Sequence, residues 1–480
     1  MKTIIFLSVM LLTISGFAQV KVERIFKTSL NQISTPYDMI KASDDGFFIT
    51  GGGKNLNNEK SMFLLKVTED LDSSWVKHYH RSSNIENRGD IFIYNSDGNL
   101  CVLGISFGPG VFVSLWELDQ NGDTIRTAHT TIGSSGIEFV ITDAVARPNG
   151  GFIALVRNTS TAGTVYSFDE DLNIQWSSTN QTVDWSAVSP NAQFTGVELV
   201  DTVLYFSARK INGADHHSYL VKSGLSGKLL DVDTFGVHDQ QIRAEDIVIS
   251  SNNEVLMVGT RNIEISTGLT SARLMILKTN LDGDSLDIIT DKSHHFAANA
   301  DLIDASLVVN CEGFPPSGPI GHLSTASVVY FNEQGVYQNH YDHMLFNSDT
   351  NTTPTHNAIR TIKSSDGDFV TMGVRGDNWT SRVYMVKYTP VLTGLAEFPK
   401  LHSIFIYPNP AQDQVTVSYP NEIEDLLIVI RDMQGRVLPS KLSQTHGLTL
   451  IDVSKFSSGF YQVTCAWENK MEHFALFVAH

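Results

Sequence analysis

The chain has 480 residues, of which 42% are apolar, 10% aromatic and only 18% charged, with 35 Gly against 14 Pro. That balance excludes collagen, coiled coil and extended disorder and leaves a β-rich globular protein. Lys and Arg number 34 against 52 Asp and Glu, a formal charge of −18, and so acidic a surface repels phosphate backbones and excludes nucleic acid as a partner.

The N-terminus reads as a secretory signal over residues 1–18. Lys2 supplies the positive start, Ile4 to Ile14 is almost wholly apolar, and Gly16 and Ala18 place small residues ahead of cleavage before Gln19. The apolar run is too short for a membrane span, which needs about 20 residues, and no other stretch offers a transmembrane segment. Cys101, Cys311 and Cys465 are an odd set without short spacing, so neither a disulfide scaffold nor a cysteine zinc site is expected. With no Cys near residue 19, a lipid anchor on an N-terminal cysteine is not expected either.

From residue 20 to residue 389 one unit recurs. A turn followed by an apolar strand begins at Asp45, Asp97, Asn149, Asp201, Asn252, Asp304 and Asp366, in steps of 52, 52, 52, 51, 52 and 62. Each turn follows a short apolar stretch, as in Asp90-Ile91-Phe92-Ile93, so two strands form a hairpin. A third strand comes after a variable loop, such as Phe63 to Val67 or Leu274 to Lys278. A second tight turn, such as Asn121-Gly122-Asp123, then leads to a fourth strand. Seven units of four antiparallel strands predict an all-β fold, a seven-bladed β-propeller. The seventh unit runs from Val383–Lys387 into Thr389-Pro390 without a fourth strand, while Arg24–Thr28 is a spare strand at the start. Placing that strand in the last blade closes the ring and removes two open sheet edges.

Several groups of residues invite a chemical reading. Gly104-Ile105-Ser106-Phe107-Gly108 has the spacing of a serine-hydrolase nucleophile elbow, but it follows a strand and leads into Pro109-Gly110, whereas the motif needs a strand-turn-helix corner. His216-His217, His294-His295, and His340 with His343 fall in three different units, and no metal site is predicted. The acidic turns Asp119–Asp123 and Asn280–Asp287 are too short for an EF-hand loop and read as hairpin turns. Asp38, Asp143 and Asp246 open the first strands of their units, while Lys54, Arg157 and Arg261 close the second. The hairpin centres calculated from these pairs fall on the predicted turns, so each acid is expected opposite its base as a cross-strand ion pair. Arg209 and Arg375 hold the corresponding basic place with no obvious acid.

The loops between second and third strands vary most: Gly51 to Ser61, Arg209 to Ser218, Arg261 to Ala272, Cys311 to Thr325, and Val374 to Ser381. In a propeller they gather on one face with the blade-to-blade connections, and long loops on a rigid scaffold are where recognition sits. The expected ligand-binding residues there are Arg209, His216, His217, Phe314, Arg375 and Trp379, a set suited to a glycan ring or a protein hot spot. No catalytic residue and no cofactor is assigned.

After a linker at residues 390–400 the fifty-residue period stops. Tyr407-Pro408-Asn409-Pro410, then Ile428 to Val437 with Asp432-Met433-Gln434-Gly435, then Ile451-Asp452-Val453-Ser454 and Ser458-Gly459-Phe460-Tyr461-Gln462-Val463 follow in order. These motifs resemble the C-terminal sorting domain of cargo of the bacterial type IX (Por) secretion system, over residues 401–480. The resemblance implies a small immunoglobulin-like β-sandwich recognised by that secretion machinery and commonly removed. The chain departs from the family in ending Phe474 to His480 rather than on a basic aliphatic strand. Together these readings predict a secreted or surface-attached propeller that binds an extracellular glycan or protein. The alternative is an extracellular propeller enzyme acting on glycans or using a quinone, since Asp70 to Trp75 and Glu170 to Trp176 resemble quinoprotein propeller repeats.

Overall fold

A computed structural model describes residues 19–389 and 405–479, apart from short segments at 27–33, 55–56, 58, 82–84, 135–137, 159–162, 180–183, 213–214, 237–240, 267–268, 291–295, 314–324, 344–354 and 378–379 and, in the C-terminal part, 408–410, 419–425, 433–435, 437, 439–440, 446–447 and 468–469. The proposed signal segment lies outside the described residues. The chain divides into two compact units between residues 392 and 393.

The first unit is the seven-bladed propeller. Blade 1 holds Thr35–Lys41, Phe47–Lys54, Lys60–Val67 and Ser73–Tyr79 in that order from the centre outward. Blades 3 to 6 repeat the plan, with inner strands Phe139–Ala146, Ala192–Val200, Gln241–Ile249 and Phe296–Ile303. In blade 2 the inner strand is split into Glu86–Asn87 and Ile91–Tyr94, both paired with Leu100–Phe107. Blade 7 runs Thr355–Lys363, Phe369–Asp377, Thr380–Thr389, and its fourth strand is Gln19–Phe26 from the other end of the chain. Phe26 stands opposite Val383 and Arg24 opposite Met385, so the expected ring closure is present.

The packing follows from strands buried on both faces. Ile49, Phe63, Leu64 and Leu65 in blade 1, or Leu256, Met257 and Val258 in blade 5, are fully enclosed. Each adjacent pair of blades has its own apolar cluster, from Phe48, Leu64, Val102 and Trp116 between blades 1 and 2 round to Phe47, Phe63, Val370 and Met385 between blades 7 and 1. Each fully buried Leu, Ile or Phe contributes roughly 1.5–3 kcal/mol, and seven such seams replace the single core of a sandwich. Cys101 and Cys311 are reduced and buried in these seams.

The second-to-third connections are more regular than the sequence suggests. In blade 4 pairing continues from Arg209↔Ser218 to Asn212↔Asp215, and in blade 5 from Arg261↔Arg273 to Ser266↔Leu269. These segments are therefore extended hairpin arms rather than long irregular loops.

The second unit has two sheets, Phe405–Tyr407, Gln414–Ser418, Leu448–Asp452 and Lys441–Thr445 in one, and Leu427–Asp432, Gly459–Trp467 and Lys470–Val478 in the other. Val415, Val417, Ile451, Ile430, Val463, Cys465 and Leu476 form the core between them, the arrangement expected of a small sandwich.

Candidate functional site

A β-bulge decides what lines the centre of the ring. The pairing of inner with second strand skips one residue between Pro36 and Asp38, Ile141 and Asp143, Phe194 and Gly196, Ala244 and Asp246, Ala297 and Asn299, and Ala358 and Arg360. The residue after the skip occupies one equivalent place in each blade. Round the ring that place reads Asp38, Asp90 in the split strand, Asp143, Gly196, Asp246, Asn299 and Arg360.

The observed register overturns the predicted ion pairs. Asp38 stands opposite Thr50, Asp143 opposite Leu155 and Asp246 opposite Val258. Arg157 faces Val140 and Arg261 faces Ile242 instead. Each hairpin turns earlier than the predicted pairing requires, with unbroken pairing from Lys41↔Phe47 to Asp38↔Thr50, from Ala146↔Phe152 to Asp143↔Leu155 and from Ile249↔Val255 to Asp246↔Val258, and the bulge comes only beyond these acids. The acids serve the neighbouring blade. Asp38 Oδ2 accepts the Phe92 N–H at 2.8 Å, Asp90 Oδ2 that of Ile141 at 3.0 Å, Asp143 Oδ2 that of Val197 at 2.7 Å, and Asp246 Oδ2 that of Ala300 at 2.8 Å. Oδ1 of Asp38, Asp143 and Asp246 accepts the N–H of the next residue, each at 2.8 Å. Inner strands have a free edge toward the centre, and a carboxylate from the preceding blade satisfies a donor that would otherwise be orphaned.

Gly196 is the position where no side chain fits. A Cβ there would lie 2.5 Å from Asp246 Oδ1 and 2.8 Å from the Ile247 nitrogen, so the carboxylate of blade 5 reaches back over blade 4.

Two steps further along the inner strands stand Glu198 and Asp301. Arg360 Nη2 meets Asp301 Oδ1 at 2.9 Å, and its Nε lies 3.8 Å from Asp38 Oδ1. The Arg360 side chain keeps 31% exposure. Burial weighs against its charge, but Asp301, Asp38, Asp246 and Asp143 outweigh that and hold it protonated. For the acids one guanidinium is too little. Burial pushes Asp143 up to about 7 against the pull of its backbone donors, and pushes Glu198 up to about 8, helped by the charges of Asp143 and Asp301. Asp246 and Asp301 are raised for the same first reason.

A second constellation lies where the second strands run into the hairpin arms. Arg157 of blade 3 and Arg209 of blade 4 occupy the same place, two residues beyond the partner of the bulge position. At that level in blade 5 stands Thr260, and directly opposite it on the inner strand is Arg243. Glu245, the residue skipped by the blade 5 bulge, receives an ion pair from Arg209 and another from Arg243 Nη2 at 3.4 Å. Arg209 Nε also donates to Gln193 Oε1 at 3.3 Å. Arg157 has no ion-pair partner among the described residues, and its Nε and that of Arg243 are enclosed without an acceptor. Burial, then the neighbouring arginines, depress the proton affinity of Arg209 and Arg243.

The residues expected to bind ligand are thus placed differently from one another. Arg209 is buried and paired with Glu245, so it is not without an acid. His217 is half-buried with Nδ1 2.5 Å from the Gly236 carbonyl oxygen. His216 stands opposite Ile211 and Arg375 opposite His356 by backbone register. Phe314 and Trp379 lie outside the described residues. Arg157 and Arg243 were missed as ligand candidates. Arg157 had been assigned to Asp143, and Arg243 lies on an inner strand, where no loop pattern draws attention to it.

Two of the remaining motifs are structural. Ser106 is buried in mid-strand, donating to Asn87 Oδ1 at 2.9 Å and bonded to Ser114 Oγ at 2.7 Å, which is no nucleophile elbow. Asp119 Oδ1 accepts the N–H groups of Asn121 and Asp123 at 2.9 and 2.7 Å, the side-chain-closed turn expected of an Asp before Gly. His294 and His295 lie outside the described residues, and among the described residues no group of three His, Cys, Asp or Glu is set to hold a metal ion.

Residues 405–476 match the family profile described as a secretion system C-terminal sorting domain. The C-terminal unit is a type IX sorting domain. Such a tail marks export, so the protein is secreted or displayed at the cell surface, and the type IX machinery is the partner of this domain. Among curated proteins none matches the sequence. Solved structures similar in fold include Sqt1 from Chaetomium thermophilum (8% identity, TM-score 0.42, 76% of this chain and 100% of that one). Drosophila Plexin A in complex with Semaphorin 1b (8%, 0.40, 78% and 87%) and the WD40 domain of Toxoplasma gondii coronin (10%, 0.39, 78% and 89%) are others.

Proposed function

We propose that the propeller is an extracellular binding or adhesion module, delivered by its sorting domain, that meets its ligand on the face carrying the second-to-third hairpin arms. The observation behind this reading is the asymmetry of the two faces. On one, the hairpins of blades 4 and 5 stay paired out to Asn212↔Asp215 and Ser266↔Leu269. On the other, turns such as Asp119 to Asp123 are closed by their own side chains. The proposed contact residues are Arg209, His216, His217, Phe314, Arg375 and Trp379. Removal of residues 1–18 on export, and of the C-terminal domain after it, belongs to the same proposal.

The test is a glycan array and a pull-down with the secreted protein. Trp379→Ala and Arg375→Gln are expected to weaken capture of any ligand found at least about tenfold, roughly 1.4 kcal/mol, with the melting temperature nearly unchanged. Full capture by both variants would move the site to another face.

A further inference from the structure

The arginine group at the hairpin-side end carries an imbalance of charge among the described residues. Arg157, Arg209 and Arg243 come from three successive blades at one level, and Glu245 pairs with Arg209 and Arg243 only. A buried guanidinium without a counter-charge is costly, yet Arg157 is half-buried and unpaired among the described residues, in a chain of net charge −18. Guanidinium forks are suited to the paired oxygens of carboxylate and sulfate. Farther along the inner strands stand Asp143, Glu198, Asp246 and Asp301, so a second negative charge on the same ligand would meet carboxylates.

We propose that Arg157, Arg209 and Arg243 form a binding site for one isolated oxyanion, the carboxylate or sulfate group of an extracellular acidic saccharide. Glu245 holds Arg209 and Arg243 in place, and Arg157 supplies the uncompensated charge that the ligand neutralises. The site rests on the reading that ligands meet the hairpin face, and it adds to that reading the charge and number of the groups recognised. The acids beyond the cluster disfavour a second negative charge placed on their side of it.

The experiment is calorimetric titration of the secreted protein with glucuronate, glucose 6-sulfate and glucose at constant ionic strength. Binding of either acid and not of glucose is expected, and the ratio of the two acids tells carboxylate from sulfate. Arg157→Gln is expected to weaken that binding at least tenfold without lowering the melting temperature of the free protein, because no intramolecular partner is lost. Binding of neither acid, or equal binding by Arg157→Gln, would overturn the site. If neither acid binds while an array ligand still depends on Trp379, the anion site falls and the face stands. Acid binding through Arg157 with full capture by the Trp379 and Arg375 variants supports the anion site and overturns the proposed loop contacts.

Discussion

The inner-strand acids and the hairpin-side arginines handle buried charge in opposite ways. Asp38, Asp143 and Asp246 each accept two backbone N–H groups, one from their own strand and one from the next blade. Of the arginines, Arg209 and Arg243 pair with Glu245, and Arg157 has no ion-pair partner among the described residues. The acids are joints of the scaffold, and removing one orphans donors. The arginines carry more charge than the described residues neutralise, and removing Arg157 breaks no ion pair among them. Burial by itself therefore does not separate structural from functional charge; the partners do.

The comparison breaks most visibly at Asp143. Asp143→Ala leaves the Ala144 and Val197 N–H groups without their acceptor, and a loss of roughly 2–4 kcal/mol is expected from two enclosed donors. Asp143→Asn, which keeps one acceptor, is expected to recover part of it. Chemical denaturation of both variants checks this, and equal stability of Asp143→Ala and wild type would remove the joint role.

A smaller effect concerns pH. Glu198 and Asp143 are raised to about 8 and about 7 in the folded protein, against about 4 in an unfolded chain. The folded state then binds more protons than the unfolded one between those values, so stability is greatest near pH 4–5 and falls as pH rises toward 8. Glu198→Gln is expected to flatten that slope and to stabilise the protein at pH 8.5 by about 1–2 kcal/mol, with little change at pH 4.5. Melting curves across this range settle it, and an unaltered slope would mean that Glu198 is ionised throughout.

The smallest effect sharpens the contrast. Arg157→Ala is expected to change stability by no more than about 1 kcal/mol in the absence of ligand. Combined with Asp143→Ala it is expected to be additive within about 0.5 kcal/mol, because the two residues are not cross-strand partners. A larger coupling in the double-mutant cycle would restore the pairing that the hairpin arithmetic implied.

The sequence by itself determined the period, the number of blades and the closing strand, because turn chemistry and two-sided apolar strands repeat in every unit and leave one strand missing at one end and one spare at the other. It also determined the export address, whose ordered motifs are local. The partners of the charged residues, by contrast, follow from the fold. The hairpin of blade 3 closes between Ala146 and Phe152, which sets Asp143 opposite Leu155, and the bulge beyond it carries Arg157 to Val140, so the two part company although their numbers fit a hairpin centred one residue later. Arg157, Arg209 and Arg243 lie in three different repeats, and their shared level comes from the radial packing of blades, which spacing along the chain does not encode.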